Sequence, residues 1–232
     1  MTNIQSIKQM PIKTVSATIE LVPLTLYGQG SNDLAKVTVN IQLVDPLQEE
    51  TKFLIPSEDF KSQKVYLPDG SKVELADFDP ATAADIDALK PSISNAVNEF
   101  LIQPLEDSMK NIVSLMANYL EYKNASKVVS IPAGIKYVTL EYTKSLISEN
   151  GENLLVTNLP LPDFSLVNQQ GSKASLIVLM PLEITDQNKI LESTWTPPNG
   201  AATSLEKTSV AGRIALTGYW QYDPIIRIKY KY

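Results

Sequence analysis

The sequence contains neither cysteine nor histidine. Without thiols there are no disulfides, no thiolate nucleophile and no thiolate-bound zinc or iron–sulfur centre. Without imidazole there is no Ser-His-Asp triad, no imidazole zinc site, and no side chain whose ordinary pKa lies near neutrality. Long apolar runs are missing as well. Stretches such as 176–180 fall far short of the roughly 18 residues that a membrane span needs, so a soluble chain is expected. The opening Met1-Thr2-Asn3-Ile4-Gln5-Ser6-Ile7-Lys8 shows no basic segment leading into an apolar one and no small-residue cleavage site. No signal peptide is therefore expected, and synthesis in the cytoplasm is. Phosphate-cradling glycine motifs are absent too: Gly28-Gln29-Gly30 lacks a third glycine, and no G-x-x-x-x-G-K-[ST] occurs. Nucleotide-dependent chemistry is not expected.

What the chain does contain is an ordinary globular balance, 44% hydrophobic and 20% charged residues, which is too apolar for disorder and predicts a packed core. At 232 residues it is long enough for one large β-rich domain or two small ones. A net charge of −6 and a pI near 4.8 supply no basic footprint for neutralising phosphates, so nucleic acid is not an expected partner. Arg227, Lys229 and Lys231 alternate with apolar residues and read as one solvated strand face.

Periodicity gives the architecture. Val15, Ala17, Ile19 and Leu21 alternate with Thr14, Ser16, Thr18 and Glu20, and Val37, Val39, Ile41 and Leu43 alternate with Thr38, Asn40 and Gln42. These are two strands with one buried face each, joined by a Gly-rich turn at 28–32. Pro68-Asp69-Gly70 predicts a hairpin turn, and so does Asn150-Gly151, where both residues tolerate positive φ. Asp186-Gln187-Asn188 is expected to close another hairpin. Thr82-Ala83-Ala84-Asp85 fits a capping box for a short helix ending near Leu89, and Lys90-Pro91 then breaks and restarts the chain. From 92 to 122 apolar residues recur at helical spacing, with Pro104 predicting a kink or break near 100–103. Further strands are expected at 128–131, 135–147, 153–156, 174–184, 189–195, 210–222 and 225–232. In the last of these Ile226, Ile228, Tyr230 and Tyr232 share one face, and the strand pairs either within its own sheet or with a neighbouring subunit.

Catalytic and metal candidates are few. Glu74, Asp77, Asp79, Asp85 and Asp87 could gather oxygen ligands for Ca²⁺ or Mg²⁺. Asp77 and Asp79 serve equally as residues favouring a helix N-terminus, and the spacing is not that of an EF-hand. Ser204 and Lys207 have the S-x-x-K spacing of serine acyl-enzymes, but they follow a Pro/Gly loop and lack the partner motifs. Glu149 with Glu152, or Glu183 with Glu192, could form the paired carboxylates of a glycosidase. Asn124-Ala125-Ser126 is a glycosylation sequon by letter only. Tyr219, Trp220, Tyr222 and Trp195 could stack on sugars or line an interface, with Trp220 assigned to the core.

The expected fold is α+β and mainly antiparallel: a β-sandwich or jelly-roll-like body with one long, Pro-kinked helix inserted mid-chain. Residues 1–78 and 125–232 form its β segments and 79–124 the helical insertion, as one composite domain or two. No catalytic residue, cofactor or firm metal site is assigned. The leading functional expectation is a non-enzymatic structural subunit of a capsid, connector or tail, incorporated into a virion and pairing with itself or with other structural subunits. Interface candidates are Tyr219, Tyr222, Ile226, Ile228, Tyr230 and Tyr232. The alternatives are a carbohydrate- or lipid-binding module, such as a pore-forming toxin, and a carboxylate-dependent glycoside hydrolase.

Overall fold

The computed structural model describes residues 4–6, 12–56, 61–77, 84–158, 173–197, 200–220 and 224–232. The first half carries β1 (Ile4–Ser6), β2 (Ile12–Val22), β3 (Leu34–Leu43), β4 (Thr51–Pro56), β5 (Lys61–Tyr66), β6 (Lys72–Val73) and β7 (Leu75–Asp77). Two helices follow, α1 (Ala84–Ile102) and α2 (Glu106–Asn124). The second half carries β8 (Ala125–Ile131), β9 (Tyr137–Ser145), β10 (Ile147–Glu149), β11 (Glu152–Asn158), β12 (Lys173–Leu179), β13 (Ile190–Thr196), β14 (Thr203–Ser204), β15 (Glu206–Val210), β16 (Arg213–Trp220) and β17 (Ile225–Lys231).

These strands form three sheets: an eight-stranded one in the order β15-β16-β12-β2-β3-β9-β5-β6, a five-stranded one β10-β11-β17-β13-β14, and a four-stranded one β1-β4-β8-β7. Pairing among the described strands is antiparallel except for β2 with β12 and β1 with β4. The alternation in β2 and β3 works as the side-chain period of two requires. Val15, Ala17, Ile19 and Leu21 stand opposite Ile41, Val39, Val37 and Ala35, and all eight are buried. On the other side of β2, Ala174, Leu176 and Val178 of β12 continue the same apolar row. Leu155, Ile190, Ile226, Ile228 and Tyr230 from the five-stranded sheet, and Phe53, Val129 and Ile131 from the four-stranded one, join the same core cluster. Strands from both ends of the chain thus interleave around shared apolar residues.

Several local expectations change. The single helix anticipated over 92–122 is two helices of 19 residues each, interrupted at 103–105, where Pro104 has no amide hydrogen to continue the ladder. Conversely, Lys90-Pro91 does not end a helix: Pro91 lies inside α1. One missing ladder bond is tolerated when helix continues on both sides. The capping residues Thr82 and Ala83 fall outside the described residues. Asp186-Gln187-Asn188 closes no hairpin, because β12 and β13 belong to different sheets. Asp186 instead caps a short 3-10 turn by accepting from the Asn188 amide at 2.9 Å. The strand expected over 210–222 begins with a tight turn at Ala211 (φ 51°) and Gly212 (φ 79°), which folds β15 back on β16. Asn150 (φ 53°) and Gly151 (φ 75°) do form the two-residue turn between β10 and β11, as their tolerance of positive φ predicts.

Near the end of β16 the packing is unusually tight. Trp220 is buried and meets Trp195 edge-on, with ring centroids 5.7 Å apart. Its indole folds back over Gly218, so a Cβ placed there would overlap two carbons of the ring. Gly218→Ala therefore forces Trp220 off its position and is expected to cost about 2 kcal/mol, in the range of overpacked cores. Denaturant unfolding followed by tryptophan fluorescence checks this, and the shifted indole should also alter the native emission spectrum.

Candidate functional site

Two features stand out from the fold: a buried polar hub with a cleft beside it, and an apolar face on the helical hairpin. The hub is Asp33, the last residue before β3, whose side chain is fully buried. Its Oδ1 accepts from the Thr25 amide at 2.8 Å and from the Thr25 hydroxyl at 2.7 Å. Its Oδ2 accepts from the Tyr230 hydroxyl at 2.7 Å and, in a short contact, from the Tyr232 hydroxyl. The Asp33 carbonyl accepts from the Leu146 amide at 2.8 Å. A carboxylate inside a protein is costly unless its lone pairs are met, and here four donors meet them. The two tyrosine rings sit edge-on at 5.7 Å. Burial, and then the bond to Asp33, push both phenols above their ordinary pKa.

A cleft of about 450 Å³ opens next to this hub. Thr25, Leu26, Ser31, Tyr232 and the β10–β11 turn line it, so Glu149 and Glu152 border the same space. They are direct cross-strand partners. Glu152 is already ion-paired with Lys229 of β17. The other proposed pair is likewise occupied. Glu183 accepts from the exposed Tyr27 hydroxyl, whose pKa this bond raises, while Glu192 pairs with Arg227 at 3.2 Å and accepts from Thr194 at 3.0 Å. A second hollow, about 370 Å³, lies on the eight-stranded sheet among Glu20, Lys36, Lys64 and Glu141. Glu20 stands opposite Lys36, and Glu141 opposite Lys64. Opposite charges set across neighbouring strands are how a solvated sheet face stabilises itself.

The remaining sequence candidates scatter. Asp77 is exposed on β7 and bonded to Lys127, which holds its carboxyl below the usual range. Glu74 is exposed beside it. Asp79 falls outside the described residues, and of Asp85 and Asp87 only the backbone, in α1, is described. Among the described residues no three Asp or Glu side chains are placed to hold a metal ion. Ser204 and Lys207 sit on two short exposed strands flanking buried Leu205, not on a helix, so they lack the one-turn geometry of an S-x-x-K pair. Of the interface candidates, Ile226, Ile228 and Tyr230 are fully buried on β17, which β11 and β13 flank on both sides. Tyr232 is half-buried on Asp33, Tyr219 is exposed, and Tyr222 falls outside the described residues.

The helical hairpin has the opposite character. Three residues join α1 and α2, the helices pack on each other, and α2 also meets β1 and β4. Of the apolar residues along the hairpin, Ala96 and Ile112 are buried. Leu101 and Ile102 at its tip are 73% and 85% exposed, and Leu105, Met109, Val113, Met116 and Leu120 are all exposed. Exposed apolar sets of this size are uncommon on surfaces that meet only water. Neither helix is long and apolar enough to cross a membrane, judged over the described residues.

Asp33→Ala strands the buried Tyr230 hydroxyl and is expected to cost about 3 kcal/mol, measurable by urea unfolding. The pH dependence follows from the raised phenols. Their stabilisation is fully present below the ordinary tyrosine pKa of about 10 and is lost as pH rises beyond it. The chain should therefore lose stability steeply above pH ~10, and Tyr230→Phe should flatten that slope in a circular-dichroism titration.

No protein-family model matches the sequence, and no curated protein matches it. Among solved structures, a candidate nutrient-binding protein of Legionella pneumophila is similar over 97% of this chain and 68% of its own, at 8% identity and a TM-score of 0.45. A likeness that loose carries no argument about function.

Proposed function

We propose that this chain is a non-enzymatic assembly subunit, a structural component of a larger particle such as a virion or phage capsid, connector or tail. The observation that supports this reading is the exposed apolar face of the α1–α2 hairpin. The three sheets, read as one composite sandwich-like or jelly-roll-like body spanning 1–78 and 125–232, serve as the support that presents the hairpin. Division of labour of this kind is economical: the body's strands satisfy their own core, and the hairpin, with few of its described apolar side chains buried, carries the contact. Of the carboxylates that a glycosidase would use, Glu152, Glu192 and Glu183 are tied to Lys229, Arg227 and Tyr27, which favours binding and assembly over hydrolysis.

A second reading, a lipid-binding module of the pore-forming kind, draws on Leu101 and Ile102 at the hairpin tip. Against it stand Glu99, Glu106 and Asp107 nearby and the net charge of −6, since interfacial helices usually present a Lys/Arg-rich polar face to anionic headgroups. Sedimentation of the purified chain over a concentration series tests the first reading: association into oligomers is expected, and a strict monomer at the highest concentration would overturn it. Dye leakage from liposomes containing half anionic lipid tests the second, with no leakage expected.

A further inference from the structure

We infer that the cleft beside the Asp33 hub is a binding site for a neutral, hydroxyl-rich ring, a single pyranose unit of a sugar. The observation that carries this is Asn153, which lines the cleft although its side chain is buried, only 3% exposed. Its Oδ1 accepts from the hydroxyl of its cross-strand partner Ser148 at 2.6 Å, and Ser148 Oγ in turn accepts from the Asp33 amide at 3.4 Å. That is the whole of the side-chain bonding of Asn153 among the described residues, so the two hydrogens on Nδ2 meet no protein acceptor. A buried amide normally has both of its ends met. Nδ2 is not sealed off from solvent, and the open space that Asn153 borders is the cleft. The bonds running from Asp33 through Ser148 hold this donor in place before any ligand arrives, which lowers the cost of binding.

The surrounding groups set the class of ligand. Asp33 already receives four donors, so its charge is met inside the hub and is not offered to a cation. Glu149 and Glu152 alternate with Ser148 and Asn153 and so belong to the other face of the β10–β11 hairpin, where Glu152 pairs with Lys229. At the rim they repel anions. The hydroxyl hydrogens of Thr25 and Tyr232 go to Asp33, which leaves lone pairs on both oxygens, while the exposed Ser31 hydroxyl is free among the described residues. The wall therefore offers amide hydrogens and hydroxyl lone pairs but no free charge. A ligand hydroxyl matches both, because it accepts from Asn153 and donates to an oxygen of the wall. Leu26, 43% exposed, and the Tyr232 ring supply apolar surface for the C–H faces of a sugar ring. At about 450 Å³ the cleft is of the size that small ligands occupy.

The test uses the full-length chain. Saturation-transfer NMR with free glucose, galactose, mannose and N-acetylglucosamine is run beside a glycan array, so that a free sugar and a sugar unit within a glycan are told apart. Binding of at least one neutral pyranose is expected, with a dissociation constant on the order of 1 mM; binding in either format supports the inference and names the source. Glucuronate should bind more weakly than glucose, given the carboxylates at the rim. Two variants locate the site. Asn153→Asp keeps the shape but replaces the amide donor with an acceptor. Ser31→Trp fills the cleft from an exposed position, so it keeps the test decisive even where the buried substitution unfolds the chain. Each is expected to weaken sugar binding at least about tenfold, with the urea midpoint of Ser31→Trp unchanged. No binding to any free or glycan-linked sugar would overturn the inference. So would sugar binding that Ser31→Trp leaves intact, or binding of putrescine, a simple dication, in place of the sugars. None of these outcomes bears on the assembly reading, which sedimentation tests separately.

Discussion

A single buried carboxylate ties the two larger sheets together. Asp33 leaves the β2–β3 connection of the eight-stranded sheet and receives the hydroxyls of Tyr230 and Tyr232 from the end of β17, the central strand of the five-stranded sheet. Apolar contact between sheets is non-directional, and side chains of similar size can exchange places at small cost. A buried carboxylate is different: one register alone brings the two tyrosine hydroxyls to it, and displacement by one strand residue would turn Tyr230 to the opposite face. Hydrophobic burial supplies most of the stabilisation, while Asp33 selects which of the compact arrangements is used.

That selection reaches the surface. The strand pairing fixed at Tyr230 also sets Lys229 beside Glu152 and Arg227 beside Glu192, so the outward residues of β17 meet opposite charges on the strands to either side. Each such pair is worth little by itself. Together they engage Glu152, which borders the nearby cleft, and Glu192 of β13. Exposed apolar side chains recur along the hairpin, at Leu101, Ile102, Leu105, Met109, Val113, Met116 and Leu120, and others are scattered over the body.

The strands with clean alternation, β2, β3, β12 and β17, were readable in the sequence because one face of each meets the core and the other does not. The Asn150-Gly151 turn was readable because its residue types are the ones that tolerate positive φ. The Ala211-Gly212 turn was not, since alanine seldom adopts a φ of 51° and nothing in its neighbours announces it. Short β1 and β4 and the parallel pairing of β2 with β12 depend on contacts far along the chain, which periodicity does not carry. Asp33 was hidden for another reason: an aspartate after Gly, Ser and Asn reads as a solvated turn residue, and only its tyrosine partners, some two hundred positions away, make it a core residue. Helical spacing marked the apolar residues of α2 but could not divide them between an inward and an outward face. The structure makes that division by burying Ile112 and exposing Val113.

The hairpin carries costs that its own contacts do little to offset. Pro91 removes a ladder bond from the interior of α1, a loss of about 3 kcal/mol in an isolated helix. The connection at 103–105 interrupts the helix again, and the described apolar side chains of α2 are divided between buried or half-buried ones and exposed ones. Helices of this length owe their stability mainly to tertiary packing. A helix pair with half of its described apolar side chains exposed therefore gains most from a second surface that covers them. Any surface that covered this face would also complete the packing of α2, while the Asp33 hub holds the two larger sheets in register without it.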